Sequence, residues 1–70
     1  MTEIGQALGA ALAIGLTAIG TAWAQSRIGV AGSGSIAENP ELVGPVIIME
    51  AIPETMVILG FVIAAMILMF

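Results

Sequence analysis

Few residues in this chain have chemistry to offer. Histidine and cysteine are absent, and one Lys or Arg stands against five Asp or Glu. Without His or Cys, the usual general base, thiolate and clustered metal ligands are missing. A hydrolytic site is therefore not expected, and no residue is assigned a catalytic role. The net charge of −4 also argues against nucleic acid as a partner. Among the acids, Glu54 stands apart. It lies in Ile52-Pro53-Glu54-Thr55, inside an apolar run from Val43 to Phe70. An ionisable group within a membrane span costs roughly a few kcal/mol or more, and so marks function by default. Thr55 adds a hydroxyl beside it. Pro53 has no N–H, so the Met49 carbonyl loses its usual helical partner. Carboxylate, hydroxyl and carbonyl oxygens are what a hard cation wants. With the same groups, a protonated Glu54 would donate its proton in a hydrogen bond. Either way the groups suit holding an ion.

The elements that hold Glu54 follow from composition. The 70 residues are 60% hydrophobic and 9% charged, too few for a sizeable soluble core without staples. Ile4 to Ser26 is uncharged for 23 residues, and Thr55 to Phe70 for 16, preceded by the apolar Leu42 to Met49. A spanning helix needs about 20 mostly apolar residues, so two spans fit and a third does not. The first does not read as a signal peptide, because Met1-Thr2-Glu3 is acidic and the apolar run is long. Glycines and serines from Gly29 to Ala37 resemble a linker, but Ile28, Ala31, Ser35 and Ile36 keep helical spacing. The turn signal comes at Glu38-Asn39-Pro40-Glu41: Asn39 suits an N-cap, Pro40 the first helical position, and Glu41 the helix dipole. The expectation is all-α: a single transmembrane two-helix hairpin over 1–70. Helix 1 covers about 3–37, the loop about 38–41 and helix 2 about 42–70, in helices of roughly 50 and 45 Å. Both exceed the roughly 30 Å hydrocarbon core, so the loop end should protrude.

A hairpin is also a ruler. Equal rise on both arms brings positions summing to about 79 to one level, which pairs Gln25 with Glu54. An amide can donate to a carboxylate or offer its oxygen to a cation. Packing alone gives no account of a Glu next to a Pro and level with a Gln. Glu50 lies one turn before Glu54 on the same face, where it is either an accessory ion group or half of a salt bridge. Arg27, mirrored near Glu50, is the candidate partner and the pairing is favoured. Arg27 and Gln25 point about 200° apart, so that pair would cross between molecules. Gly5, Gly9, Gly15 and Gly20, with many alanines, suit close helix packing in lipid. Trp23 fits an interfacial anchor or a gap filler. A single-site hairpin with a packing first helix makes sense as a ring of copies.

At these residues the chain resembles the ring-forming proteolipid, the c subunit, of rotary ATP synthases and ATPases. It looks closest to the archaeal and bacterial V/A type. The resemblance rests on Gly15 to Gly29 with Trp23, Gln25 and Arg27, on the Ala37 to Glu41 loop, and on Ile52 to Thr55 with Val57 to Gly60 after it. It implies a membrane rotor turned by ion flow, in a prokaryotic cell membrane with the loop facing the cytoplasm. Glu54 matches the ion-carrying carboxylate, loaded while facing lipid and unloaded opposite an arginine of a stator (a/I-type) subunit. Identical subunits would form the ring, membrane lipid would surround it, and Glu38, Asn39, Pro40 and Glu41 would contact central stalk subunits. Nucleotide chemistry would belong to partner subunits, with no cofactor here. In sodium-type members a glutamine, the carboxylate, the next hydroxyl and a carbonyl two residues earlier hold the ion; Gln25, Glu54, Thr55 and the Ile52 carbonyl match. Leu59 departs where those members often carry a tyrosine, and Glu50 is usually not acidic. The coupling ion leans to H+, with Na+ the alternative. The competing function is a non-motor oligomeric hairpin, pore-forming or structural, in which Glu54 would be dispensable. A membrane enzyme lacks His, Cys and Lys.

Overall fold

The computed structural model describes residues 3–70. A single helix, α1, runs Ile4–Glu38. Gln6 starts it: its side-chain oxygen accepts the Glu3 N–H at 3.1 Å, and its amide reaches across to the Ile67 carbonyl at 3.3 Å. The helix continues through the glycine- and serine-rich stretch because no glycine there takes a positive φ. Ser35 turns its hydroxyl onto the Ala31 carbonyl at 3.1 Å rather than breaking the helix. At Asn39 the backbone becomes extended, and the Asn39 side chain accepts the Glu41 N–H at 3.1 Å. Pro40 follows at the first position, where its missing N–H costs nothing.

The second arm is helical with one interruption. It opens with a tight 3-10 turn, Pro40–Leu42, continues as α2, Val43–Ala51, and restarts after Ile52 and Pro53 as α3, Glu54–Met69. The cause is Pro53, which cannot return an N–H to the preceding turn. The chain bridges the gap with shorter i to i+3 bonds, Thr55 N–H to the Ile52 carbonyl at 3.2 Å and Met56 N–H to the Pro53 carbonyl at 3.0 Å. The arms lie antiparallel in a hairpin 54 Å long. Both, Ile4–Glu38 and Pro40–Met69, are long and apolar enough to cross a membrane.

Small residues let the two arms approach. On α1 the buried positions are Ala10, Thr21 and Gly32, each three helical turns from the next. On the second arm most of the less exposed positions, Val46, Glu50, Pro53, Val57, Gly60, Ala64 and Ile67, alternate steps of four and three, with Leu42 and Ala65 beside them, the spacing of a left-handed helix seam. A Cβ at Gly60 would strike the Thr17 hydroxyl and stand 2.8 Å from the Ala13 carbonyl, and one at Gly32 would strike Val46. These two glycines therefore set the helix separation. Gly5, Gly15 and Gly34 have nothing within 4 Å and point outward. Outward too point Leu8, Leu12, Leu16, Ile19, Ile58 and Phe61, while Ala10 and Ala64 alone among apolar residues described are buried. Such a surface suits lipid or further copies, not water.

Candidate ion-carrying site

The break in the second arm lies opposite the polar face of α1, and side chains of α1 stitch it. Thr21 donates its hydroxyl to the Pro53 carbonyl at 2.9 Å. One turn along, Gln25 Nε2 donates to the Glu50 carbonyl at 3.2 Å and to Glu54 Oε2 at 2.7 Å. The two acceptors fix the amide. Turned over, Gln25 would set its own oxygen against the Glu50 carbonyl, so the N–H side faces Glu54. Glu54 itself opens α3 and is exposed on its flank. One carboxylate oxygen is thus held by an amide N–H, and the other faces away from that bond. At α3's first turn the carboxylate also complements the helix dipole.

Of the sequence-nominated residues, the fold brings Gln25 and Glu54 into direct contact. It separately brings Thr55 and Ile52 together, with the Thr55 hydroxyl donating to the Ile52 carbonyl. Side-chain donors reach the carbonyls of Glu50, Ile52 and Pro53, and not that of Met49. Glu38, Asn39, Pro40 and Glu41 are exposed at the far loop.

Within one chain Arg27 and Glu50 do not meet. Glu50 turns toward α1, where its Oε2 lies 3.0 Å from the place a Cβ on Gly29 would occupy. Its Oε1 is buried without a hydrogen-bond partner. Arg27 is exposed and lies over the Trp23 ring, 5.6 Å from its centroid. The physical reason is the 3.6-residue turn: Gln25 faces the second arm, so Arg27 must face away.

A family model described as the C subunit of ATP synthase matches residues 8–67. This chain belongs to the ATP synthase C-subunit family. The K subunit of an A-type ATP synthase from Methanocaldococcus jannaschii is 37% identical over 62 residues, or 89% of this chain. The chain spans 28% of that relative's length. In this C-subunit hairpin the break at Pro53, the amide of Gln25 and the carboxylate of Glu54 form one hydrogen-bonded unit.

Thr21 escaped the sequence reading. The ruler mirrors it to position 58, whereas its partner is Pro53. Side chains reach along the axis by about a turn, so bonded partners scatter around the mirror position: Gln25 alone bonds Glu50 and Glu54, at sums of 75 and 79, and Thr21 with Pro53 sums to 74. A usable signal existed: Thr21 stands one turn before Gln25 and shares its face. At 3% exposure Thr21 is the one buried polar residue among those described. Replacing it with Val keeps the shape and removes the donor, while the Pro53 carbonyl keeps the Met56 N–H. Thr21→Val should cost about 0.5–1.5 kcal/mol of hairpin stability, with Thr21→Ser restoring most of it. Loss of helicity on titration with a denaturing detergent measures this; equal midpoints for Val and wild type would deny the bond a role.

Proposed function

We propose that this chain is an ion-carrying subunit of a membrane rotor ring in a rotary ATP synthase or ATPase, with Glu54 as the carrier. One observation carries the reading: a carboxylate exposed on the flank of a broken apolar helix, with one oxygen held at 2.7 Å by the Gln25 amide. Held on one side and open on the other, it can gain and lose an ion laterally without the hairpin unfolding. Gln25 Nε2–H supports the ionised carboxylate when the ion leaves. The coupling ion in this reading is H+. Thr55 and Ile52, the further ligands an Na+ site would need, are bonded to each other through the Thr55 proton, which leaves a lone pair on each oxygen, so Na+ stays the alternative. A proton needs neither.

The remaining parts follow from the same reading. Copies pack side by side into the ring. A stator subunit discharges Glu54 as it passes. The exposed turn at Glu38, Asn39, Pro40 and Glu41 meets the central stalk on the cytoplasmic side of a prokaryotic membrane. Nucleotide is handled by other subunits.

Carbodiimide labelling, read by mass spectrometry across pH with and without Na+, tests the reading, because the reagent modifies protonated carboxyls in apolar surroundings. Labelling at Glu54 that Na+ leaves unchanged is the expected result. Protection by Na+ would replace the proton by sodium as the carried ion. Labelling at Glu50 with Glu54 inert would overturn the site.

A further inference from the structure

Arg27 is the one cationic side chain, and the ion-carrying unit does not use it. It is exposed on the side of α1 turned away from the second arm, stacked on Trp23. Among the described residues it forms no ion pair. Glu50, level with it, is turned to the opposite side of α1. Glu38 lies about 16 Å further along α1, beyond a Debye length and in the solvated turn. A guanidinium on an apolar membrane face without a counter-charge is expensive, so its anion must come from outside the chain.

Depth says which anion. Arg27 stands twelve residues from Asn39, about 18 Å along the axis. A 54 Å hairpin centred on a hydrocarbon layer of roughly 30 Å extends about 12 Å beyond each face. That sets the Arg27 backbone about 6 Å below the headgroups, within reach of an extended arginine side chain. Trp23, one turn deeper, supplies the amphipathic ring that membrane interfaces favour. Ser26, Arg27, Val30 and Ala31 line an open groove there; the Ser26 hydroxyl is taken up by the Trp23 carbonyl at 2.7 Å, so the guanidinium is the free polar donor beside apolar wall. Guanidinium presents paired N–H donors that match a phosphate.

We propose that Arg27 binds the phosphate of an anionic phospholipid, whose acyl chain lies along the α1 face beside Trp23. The inference rests on the membrane placement alone and not on Glu54 being the carrier.

Trp23 is the only tryptophan and is itself the reporter. The chain is reconstituted into vesicles containing brominated phosphatidylglycerol or brominated phosphatidylcholine, and quenching of Trp23 is compared. One basic residue near an anionic surface predicts a roughly fivefold preference for the anionic lipid. Arg27→Gln should abolish the preference, and Arg27→Lys should keep part of it, since it retains charge without the paired donors. Equal quenching by both lipids in the wild type would overturn the proposal and point to a carboxylate of another copy as the counter-charge. A preference that survives Arg27→Gln would overturn it as well. If inorganic phosphate displaces the anionic lipid at millimolar levels, the site is a free-anion site and the lipid assignment fails.

Discussion

Replacing Glu54 with Gln should reduce ion-coupled transport to background while the hairpin stays intact. The two side chains have the same shape. In Glu54→Gln the new amide oxygen can still accept the Gln25 N–H that Glu54 Oε2 now accepts at 2.7 Å. Glu54 is exposed, so the substitution buries no new polar group. What disappears is the ability to exchange a proton: an amide neither ionises nor recharges near neutral pH. The assembled complex in proteoliposomes, assayed for ATP-driven ion uptake, gives the transport readout. Helicity and oligomer mobility in detergent give the structural one. Lost uptake with unchanged structure is the expected pair. Uptake at the wild-type rate would remove Glu54 from the carrier role and favour a hairpin that oligomerises without a motor. Lost uptake together with lost helicity would make Glu54 a packing residue instead.

The sequence was most informative where single residues obey strong constraints. Two uncharged stretches separated by Asn39 and Pro40 leave little choice but a helical hairpin. The contact of Gln25 with Glu54 was legible because equal counting from the turn brings these two polar side chains to one level. Thr21 was missed because its partner is a backbone carbonyl, which no residue type marks. The split of the second arm was half visible. Pro53 announced a disturbance, but whether a proline bends a helix or ends it depends on what else supplies donors. Here Thr21 and Gln25 do so from the other arm, and no local pattern in the second arm contains that fact. Glu50 shows the same limit. Its charge invited a pairing with Arg27, yet its direction is set by the space at Gly29 across the interface. Levels along a hairpin can be counted from sequence; facing across it depends on packing between the arms.

That dependence makes Gln25 the residue whose loss should reach furthest beyond the carrier itself. In Gln25→Leu the bulk remains and both hydrogen bonds go. The Glu50 carbonyl and the Glu54 carboxylate then lose a donor in an apolar setting. Hydrogen bonds to charged groups contribute about 1.5–3 kcal/mol, so support for ionised Glu54 should fall by that order and transport by about tenfold or more. The carbonyl share is separable. In a Glu54→Gln background, Gln25→Leu still removes the bond to the Glu50 carbonyl, so stability in a detergent titration should drop again, by about 1 kcal/mol. Measuring both single variants and the double variant isolates the Gln25–Glu54 coupling from the Gln25–backbone bond. A nonzero coupling with reduced transport is the expected outcome. If Gln25→Leu transports like wild type, the 2.7 Å contact is incidental to ion exchange. If the coupling is zero and all the loss appears in stability, Gln25 works by holding the helix break, and Glu54 exchanges its ion without help from the first helix.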